Sequence, residues 1–134
     1  MEKKIYPVSL YKHSDITEQV LAAFYAVYSA LGYGFLEKVY VNALKIELER
    51  RGFKIAEGFE IKVYYADLIV ADSVIVEVKT TRVLAQEHEA QLLNYLKATP
   101  YEVGLLLNFG PKPEQKRRSF DNNRKEGWLA QHQS

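Results

Sequence analysis

The segment from Tyr101 to Phe109 is almost wholly apolar, and it constrains the fold more than any other part of the chain. The segment is far too short to cross a bilayer and has the length of a strand. A strand that is apolar at consecutive positions is typical of a sheet covered on both faces. We therefore expect an α/β fold in which helices flank both faces of a small sheet, as a three-layer sandwich.

Hydrophobic spacing predicts the other elements of this sandwich. Apolar residues at helical spacing predict helices at about 14–31, 36–51 and 84–99, and Asp15 with Glu18 resembles a capping box at the first. Runs rich in Val and Ile predict strands at 53–56, 60–70 and 74–80, and a short strand is expected near 116–120. No repeat or linker divides the 134 residues. We expect a single domain over 1–134, with a core at about 15–120 and a basic loop and polar tail over 111–134.

Composition excludes several classes of protein. Hydrophobic residues make up 48% of the chain and charged residues 26%, which is typical of a globular domain and not of a disordered one. The absence of cysteine excludes a disulfide framework and thiolate metal sites, and it fits a reducing compartment. No apolar run suits a signal peptide or a membrane span, so we expect a cytoplasmic protein.

Charge is balanced overall but not along the chain. The formal net charge of +1 does not by itself indicate a nucleic-acid partner. Between Pro111 and Lys125, however, lie six basic and only two acidic residues. Such a strip can bind phosphates or can be a solvated surface. Its candidates for contact with a phosphate backbone are Lys116, Arg117 and Arg118.

Two predicted strands bring acidic side chains together. A three-residue turn at 71–73 sets Val70 opposite Val74, and the same register sets Asp67 opposite Glu77. Directly opposite residues share one face of a sheet, so the two carboxylates should lie side by side. Lys79 lies two residues beyond Glu77 and should share that face. A two-residue turn would break this pairing.

Facing carboxylates among Val, Ile and Leu require compensation, because burying a charge is costly unless it is paired. One carboxyl can keep its proton through a raised pKa, Lys79 can neutralise the pair, or a divalent cation can bind between the carboxylates. Oxygen ligands without nearby His or Cys favour Mg²⁺ or Mn²⁺. Beside such an ion, a lysine can position a water molecule or stabilise charge on a phosphate. Spacing alone leaves these alternatives open.

Two further motifs lie on predicted helices. Gln91 and Tyr95 are four residues apart, which places them on one helix face. Gly34, Glu37 and Tyr40 are spaced by three at the start of the second helix. Glu37 is explained equally well as an acid favoured at a helix start, and both tyrosines as core residues.

The hairpin motif resembles that of a known superfamily. Asp67 followed by Glu77-Val78-Lys79 is similar to the signature of the PD-(D/E)XK nucleases, although Ala66 stands where the signature has proline. Gln91 and Tyr95 resemble the QxxxY motif of the RecB-like and Holliday-resolvase-like branches. The spacing from Gly34 to Tyr40 resembles the name-giving motif of the GxxExxY proteins, a small family placed in that superfamily. The resemblance covers about residues 15–120 and implies a restriction-endonuclease-like fold.

The resemblance also implies a role for each motif residue. Asp67 and Glu77 would be metal ligands, with the backbone carbonyl of Val78 as a third. Lys79 would activate or position the attacking water. Glu37 would support the metal, directly or through water. Gln91 and Tyr95 would orient the substrate or the groups that surround the metal ligands.

Taken together, these roles imply a Mg²⁺- or Mn²⁺-dependent nuclease that hydrolyses phosphodiester bonds, with DNA as the expected substrate. The main alternative is a catalytically inactive module of the same fold that binds nucleic acid or a protein partner. A hydrolase of another phosphate ester is a third possibility, whereas the lack of a glycine-rich phosphate loop argues against a nucleotide triphosphatase. Many small members of the superfamily act as dimers, so a homodimer fits the same resemblance.

Overall fold

The computed structural model describes residues 12–61 and 64–125. Within them, the helices are α1 (Ser14–Leu31), α2 (Glu37–Arg50) and α3 (Gln86–Lys97). The strands are β1 (Ile55–Ile61), β2 (Tyr64–Val70), β3 (Val74–Lys79), β4 (Val103–Phe109) and β5 (Pro113–Ser119), and a 3₁₀ turn follows at Asn122–Arg124. From residue 126 onward, the predicted polar tail lies outside the described residues.

The five strands form one mixed sheet in the order β1-β2-β3-β4-β5. Strands β3 and β4 are parallel, and the other neighbours are antiparallel. Helix α3 connects the parallel pair, as a parallel connection requires a crossover. None of the helices in the described part of the chain has the length and apolar character needed to cross a membrane.

Alternating side chains of the central strands enter two hydrophobic clusters, one on each face of the sheet. Leu105 and Leu107 of β4 pack in the cluster that contains Phe24 of α1 and helix α2, whereas Leu106 packs with Leu92 of α3. Every residue of β4 is buried. The predicted α/β sandwich, with helices on both faces of the sheet, is therefore confirmed.

The region before the hairpin differs from the prediction. The sequence predicted separate strands at 53–56 and 60–70, but β1 continues from Ile55 to Ile61. Glu57 pairs with Leu68 and Phe59 pairs with Ala66, so the ladder passes through Gly58 without a change of register. Strand β5 also begins earlier than predicted, at Pro113.

The predicted capping box at the first helix is wrong. Helix α1 begins at Ser14, and His13 is its N-cap in a left-handed conformation (φ 59°) without a side-chain cap among the described residues. Asp15 therefore lies inside the first turn, where its charge still faces the positive end of the helix dipole. Thr17 donates its hydroxyl to the carbonyl oxygen of Ser14 over 3.1 Å.

The turn between β2 and β3 has the predicted three residues. Val70 pairs with Val74, and the backbone N–H of Ser73 donates to the carbonyl oxygen of Val70 over 3.0 Å. Ala71 and Asp72 both adopt left-handed conformations, with φ of 53° and 51°. The register that brings the acidic residues together is therefore set by this turn.

Candidate active site

The ladder between β2 and β3 ends where the acidic residues begin. Its last pair is Leu68 with Val76, so the predicted pair of Asp67 with Glu77 is absent from the ladder. The backbone N–H of Val78 instead donates to Oδ2 of Asp67 over 2.7 Å. The Asp67 carboxylate thus accepts an N–H that a backbone carbonyl of β2 would accept in a regular ladder. The backbone pairing of the two strands ends at this point.

Glu77 is the buried acid of the site, with a relative exposure of 7%. Burial is the main cause that raises its pKa from 4.5 to about 8. The charges of Asp67 and Glu37 raise this pKa further, whereas Lys79 and the backbone N–H of Asp67 lower it. In the described part of the chain, the Oε1 atom of Glu77 is buried without a hydrogen-bond partner. Such an orphaned acceptor is rare in folded proteins and calls for an explanation.

Asp67 and Glu37 form one acidic group with Glu77, because their charges act on its pKa. The pKa of Asp67 is raised by burial and lowered by the Val78 N–H and by Lys79. Glu37, the first residue of α2, is exposed, but partial loss of water and the charge of Asp67 raise its pKa. The three carboxylates therefore disfavour one another's charge.

Lys79 does not neutralise this group by direct contact. It is half-buried at the end of β3, and its charge lowers the pKa of all three acids. Among the described residues, however, Lys79 forms no salt bridge. Three carboxylates and one ammonium carry a net charge of −2 when all are ionised. Among the described residues the ion-pair cluster that the sequence left open is not formed, and the raised pKa of Glu77 instead favours the alternative in which one carboxyl keeps its proton.

The carboxylates alone do not form a full metal cluster. In residues 12–61 and 64–125, no three His, Cys, Asp or Glu side chains are grouped closely enough to bind a metal ion. The acids that the hairpin itself brings together are Asp67 and Glu77. Glu37 approaches them from helix α2, and its charge raises the pKa of Glu77.

Gln91 and Tyr95 lie together on α3, as their spacing predicted. Nε2 of Gln91 is 3.4 Å from the hydroxyl of Tyr95. Tyr95 is buried in the cluster that contains Ile75 of β3, whereas Gln91 is exposed. Tyr95 is therefore also a core residue. Its ring packs in the cluster with Ile75 of β3, and its hydroxyl contacts Gln91 on the surface of α3.

The Gly34–Tyr40 motif organises the loop before α2. Tyr40 is fully buried, and its hydroxyl donates to the carbonyl oxygen of Gly32 over 2.7 Å. The same hydroxyl accepts the backbone N–H of Phe35 over 3.3 Å. Gly34 has a φ of 111°, which L side chains rarely adopt. This loop conformation places Glu37 at the start of the helix.

The predicted basic strip is divided between the two faces of the sheet. Arg117 is opposite Leu105 and donates to the backbone oxygen of Lys12, on the side of α1. Arg118 is on the other face and forms an ion pair with Glu89 of α3. These contacts arise because neighbouring residues of a strand point to opposite faces. Of the three predicted phosphate contacts, Lys116 is exposed.

Asn108 has a structural role that the sequence analysis missed. Its amide is fully buried and donates to the carbonyl oxygen of Thr81 over 2.9 Å and to Oε1 of Glu114 over 3.0 Å. Its Oδ1 accepts the Thr81 N–H over 2.9 Å, and Glu114 accepts the Leu84 N–H. These bonds fix the loop that directly follows Lys79. The sequence feature that could have indicated this role is the single amide side chain, Asn108, in an otherwise apolar strand.

Comparisons with known proteins agree with this fold and hairpin. The profile described as the PD-(D/E)XK nuclease superfamily matches residues 14–120. The fold is similar to a solved structure titled "Crystal structure of SSO0001", with a TM-score of 0.50 and 18% identity over 97% of this chain and 75% of that one. No curated protein matches the sequence significantly. Because the profile spans most of the sequence, the chain belongs to the PD-(D/E)XK nuclease superfamily.

Proposed function

We propose that this protein is a Mg²⁺- or Mn²⁺-dependent nuclease that hydrolyses phosphodiester bonds, with DNA as its substrate. The observation that carries the proposal is the buried Oε1 atom of Glu77, which has no hydrogen-bond partner among the described residues. A buried carboxylate oxygen without a donor is costly unless a cation binds it. Asp67, whose carboxylate is held nearby by Val78, adds a second oxygen ligand.

The ligand set suits a hard divalent cation. Asp67 and Glu77 supply carboxylate oxygens, which Mg²⁺ and Mn²⁺ prefer. In an extended strand the N–H and the carbonyl of one residue point to the same side. Since the Val78 N–H faces Asp67, the Val78 carbonyl faces the same space and supplies a third oxygen. Two carboxylates and a carbonyl leave room for water and a phosphate oxygen, as Mg²⁺ usually requires.

Other residues of the chain would act around that ion. When bound, the ion supplies Lewis-acid stabilisation of negative charge on the phosphate. Lys79 lies two residues from Glu77 on the same strand face, where its ammonium can orient the attacking water and stabilise charge on the phosphate. Glu37 would act through water, because it is not grouped with the two hairpin acids as a direct ligand.

The helix motifs extend the proposal to the substrate and to the family. Gln91 is exposed on α3, supported by the Tyr95 hydroxyl, and would contact the substrate strand. Lys116 is the exposed cation of β5 that would bind a phosphate.

The Gly34–Tyr40 and Gln91–Tyr95 spacings support placement among the GxxExxY proteins and near the RecB-like branch. We further propose that the protein acts in the cytoplasm, and a homodimer is compatible with the small size of the domain.

A cleavage assay with paired substitutions tests the proposed activity. Single-stranded, duplex and branched DNA and RNA would be incubated with wild type, Asp67→Asn and Lys79→Ala in millimolar Mg²⁺ or Mn²⁺. We expect the wild type to cleave at least one substrate and both variants to lose roughly 10²- to 10⁴-fold in rate. Circular dichroism should show that both variants fold.

Matched controls separate loss of the site from loss of charge. Asp72→Asn removes an exposed acid of the β2–β3 turn, and Lys54→Ala removes an exposed lysine, so both should cleave like wild type. Retained cleavage in Asp67→Asn and Lys79→Ala would contradict the proposal. Binding of nucleic acid without metal-dependent cleavage by the wild type would instead support the inactive module.

A further inference from the structure

A cleft of about 320 Å³ opens at the end of β3, and its lining begins at Thr80. Three loops line it: 33–35 before α2, 80–82 after β3, and 109–111 between β4 and β5. The second of these loops begins at the residue after Lys79.

Two exposed aromatic rings form one wall of the cleft. Tyr33 is 61% exposed and Phe35 is 48% exposed. Large apolar side chains that stay exposed are candidates for contact with a ligand. Aromatic faces in particular stack with bases that have been released from a duplex.

The aromatic wall is held in place from beneath. The ring of Phe35 packs edge-on against the buried ring of Tyr40, with centroids 6.0 Å apart. The Tyr40 ring in turn stacks on Phe109 at 4.3 Å. The Tyr40 hydroxyl binds the loop at Gly32 and at Phe35. Phe35 is thus exposed on a rigid support and not on an unsupported loop.

The opposite walls are equally constrained. The hydroxyl of Tyr28 lies 2.8 Å and 2.9 Å from the carbonyl oxygens of Gly110 and Pro111. A Cβ atom at Gly110 would lie 2.3 Å from the carbonyl oxygen of Thr81, so the two loops touch through glycine backbone. Asn108 fixes Thr81 from below. A preformed cleft of this kind binds a ligand with little loss of conformational entropy.

The charge of the cleft suits an anionic strand. Arg82 is its charged lining residue, and none of the acidic side chains that the structure describes lines it. A second cleft continues from Arg82 and Pro111 to Lys112. In the part of the chain that the structure describes, neither Arg82 nor Lys112 forms a salt bridge. The acid of this second cleft, Glu114, is committed to Leu84 and Asn108.

We infer that this cleft binds an unpaired nucleic-acid strand, with a base stacked on Phe35 and Tyr33 and the adjacent phosphates bound by Arg82 and Lys112. The inference rests on the proposed nuclease function and assigns its substrate class. Stacking on protein rings requires a base that is free of its duplex neighbours, whereas cations alone bind either form. The combination of exposed rings with the cations Arg82 and Lys112 therefore favours single strands over duplexes.

Fluorescence anisotropy of the full-length protein in EDTA tests this inference without any cleavage. The probes are one fluorescein-labelled oligonucleotide, free or annealed to its complement. We expect tighter binding of the single strand, and a loss of roughly 5- to 100-fold in its affinity for Phe35→Ala and for Tyr33→Ala. Tyr25→Ala removes an exposed tyrosine of α1 that does not line the cleft, and it should bind like wild type.

Two further variants distinguish stacking from charge and from misfolding. Phe35→Trp should keep or increase single-strand affinity, with quenching of the new indole fluorescence upon binding. Arg82→Ala should weaken both probes and reduce the salt slope by about one. Circular dichroism and thermal melting of each variant would show whether it is folded.

Several outcomes would overturn the inference. Equal affinity for both probes would do so, as would Phe35→Ala and Tyr33→Ala variants that are folded and bind like wild type. A wild-type dimer that Phe35→Ala dissociates, with unchanged nucleic-acid affinity, would show that a second copy covers the rings. Binding that depends on the aromatic residues, without any cleavage, would support the inference and refute the nuclease function. Cleavage without a preference for single strands would support the nuclease function and refute the inference.

Discussion

Val78 donates its backbone N–H to Oδ2 of Asp67 over 2.7 Å, at the point where β2 and β3 stop pairing. In a continued antiparallel ladder this donor would bind the carbonyl of Ala66. The side-chain bond therefore replaces a backbone bond and holds the Asp67 carboxylate beside Glu77.

This bond predicts how Asp67→Asn behaves with metal. The asparagine oxygen can still accept the Val78 N–H, and the substitution removes one charge from the acidic group. Without metal, we expect the variant to melt no lower than wild type. A ligand at 100 times its dissociation constant adds about 2.7 kcal/mol, which is a few degrees for a chain of this size.

Differential scanning calorimetry with and without millimolar Mn²⁺ checks this prediction. Wild type and the control Asp72→Asn should show the shift, and Asp67→Asn should not. An equal shift in all three proteins would place any metal elsewhere. No shift in wild type would mean that the two carboxylates and the carbonyl do not bind the ion on their own.

The stability of the metal-free protein should fall as the pH rises toward about 8. Burial and the charges of Asp67 and Glu37 raise the pKa of Glu77 from 4.5 to about 8, although the charge of Lys79 lowers it. Between these two values the folded state binds a proton that the unfolded state releases. The stabilisation is therefore complete below pH 4.5 and is lost through pH 8, by about 5 kcal/mol in total.

Urea unfolding in EDTA across this pH range provides the measurement. Glu77→Gln keeps the shape of the side chain without its charge, so its stability should lose most of this dependence. The exposed Glu49→Gln on α2 should keep the wild-type dependence. If wild type and Glu77→Gln respond alike, Glu77 is not the group that titrates.

Asn108→Ala should destabilise the fold and loosen the loop after Lys79. The substitution leaves the N–H and carbonyl of Thr81 without their partner, which we expect to cost about 2–4 kcal/mol. Thermal melting gives the loss of stability, and hydrogen exchange should show faster exchange at Thr81 and Leu84. Asn94→Ala, at an exposed position of α3, is the matched control, and equal behaviour of the two variants would refute this role.

Lys125→Met should also lower stability, although the residue belongs to the basic segment. Its buried ammonium donates to the carbonyl oxygens of Thr99 and Tyr101 and to Oδ1 of Asn122, each within 2.8 Å. Burial lowers its pKa to about 8. We expect a loss of roughly 1–3 kcal/mol in urea unfolding, whereas Lys116→Met at an exposed position should unfold like wild type. Equal stability of both variants would contradict a structural role.

The division of the basic strip predicts unequal effects on nucleic-acid binding. Lys116 is exposed, whereas Arg118 is paired with Glu89. Lys116→Ala should therefore reduce the salt slope of binding by about one. Arg118→Ala should change the slope less, because its charge is already compensated. Anisotropy titrations at several salt concentrations check this, and the reverse order would show that the ion pair opens on binding.

The layers of the fold and the motif residues were determined by the sequence itself. An apolar β4 requires cover on both faces, and the Val- and Ile-rich hairpin with its three-residue turn fixes a register that brings Asp67 near Glu77. These features are local, since they follow from periodicity and turn length over a few residues. The break between β1 and β2 and the cap of α1 were predicted wrongly, because ladder pairing and tertiary packing override short-range signals there.

The arrangement around the acids was decided by the tertiary structure alone. Sequence spacing could not show that Lys79 forms no salt bridge within the described residues, or that Glu77 is buried there with an oxygen that lacks a partner. It also could not show that Arg117 and Arg118 lie on opposite faces of the sheet. Nor could it show that loops far apart in the chain meet as a cleft at the end of β3. Burial and charge depend on which distant segments pack together, and that packing exists only in the folded chain.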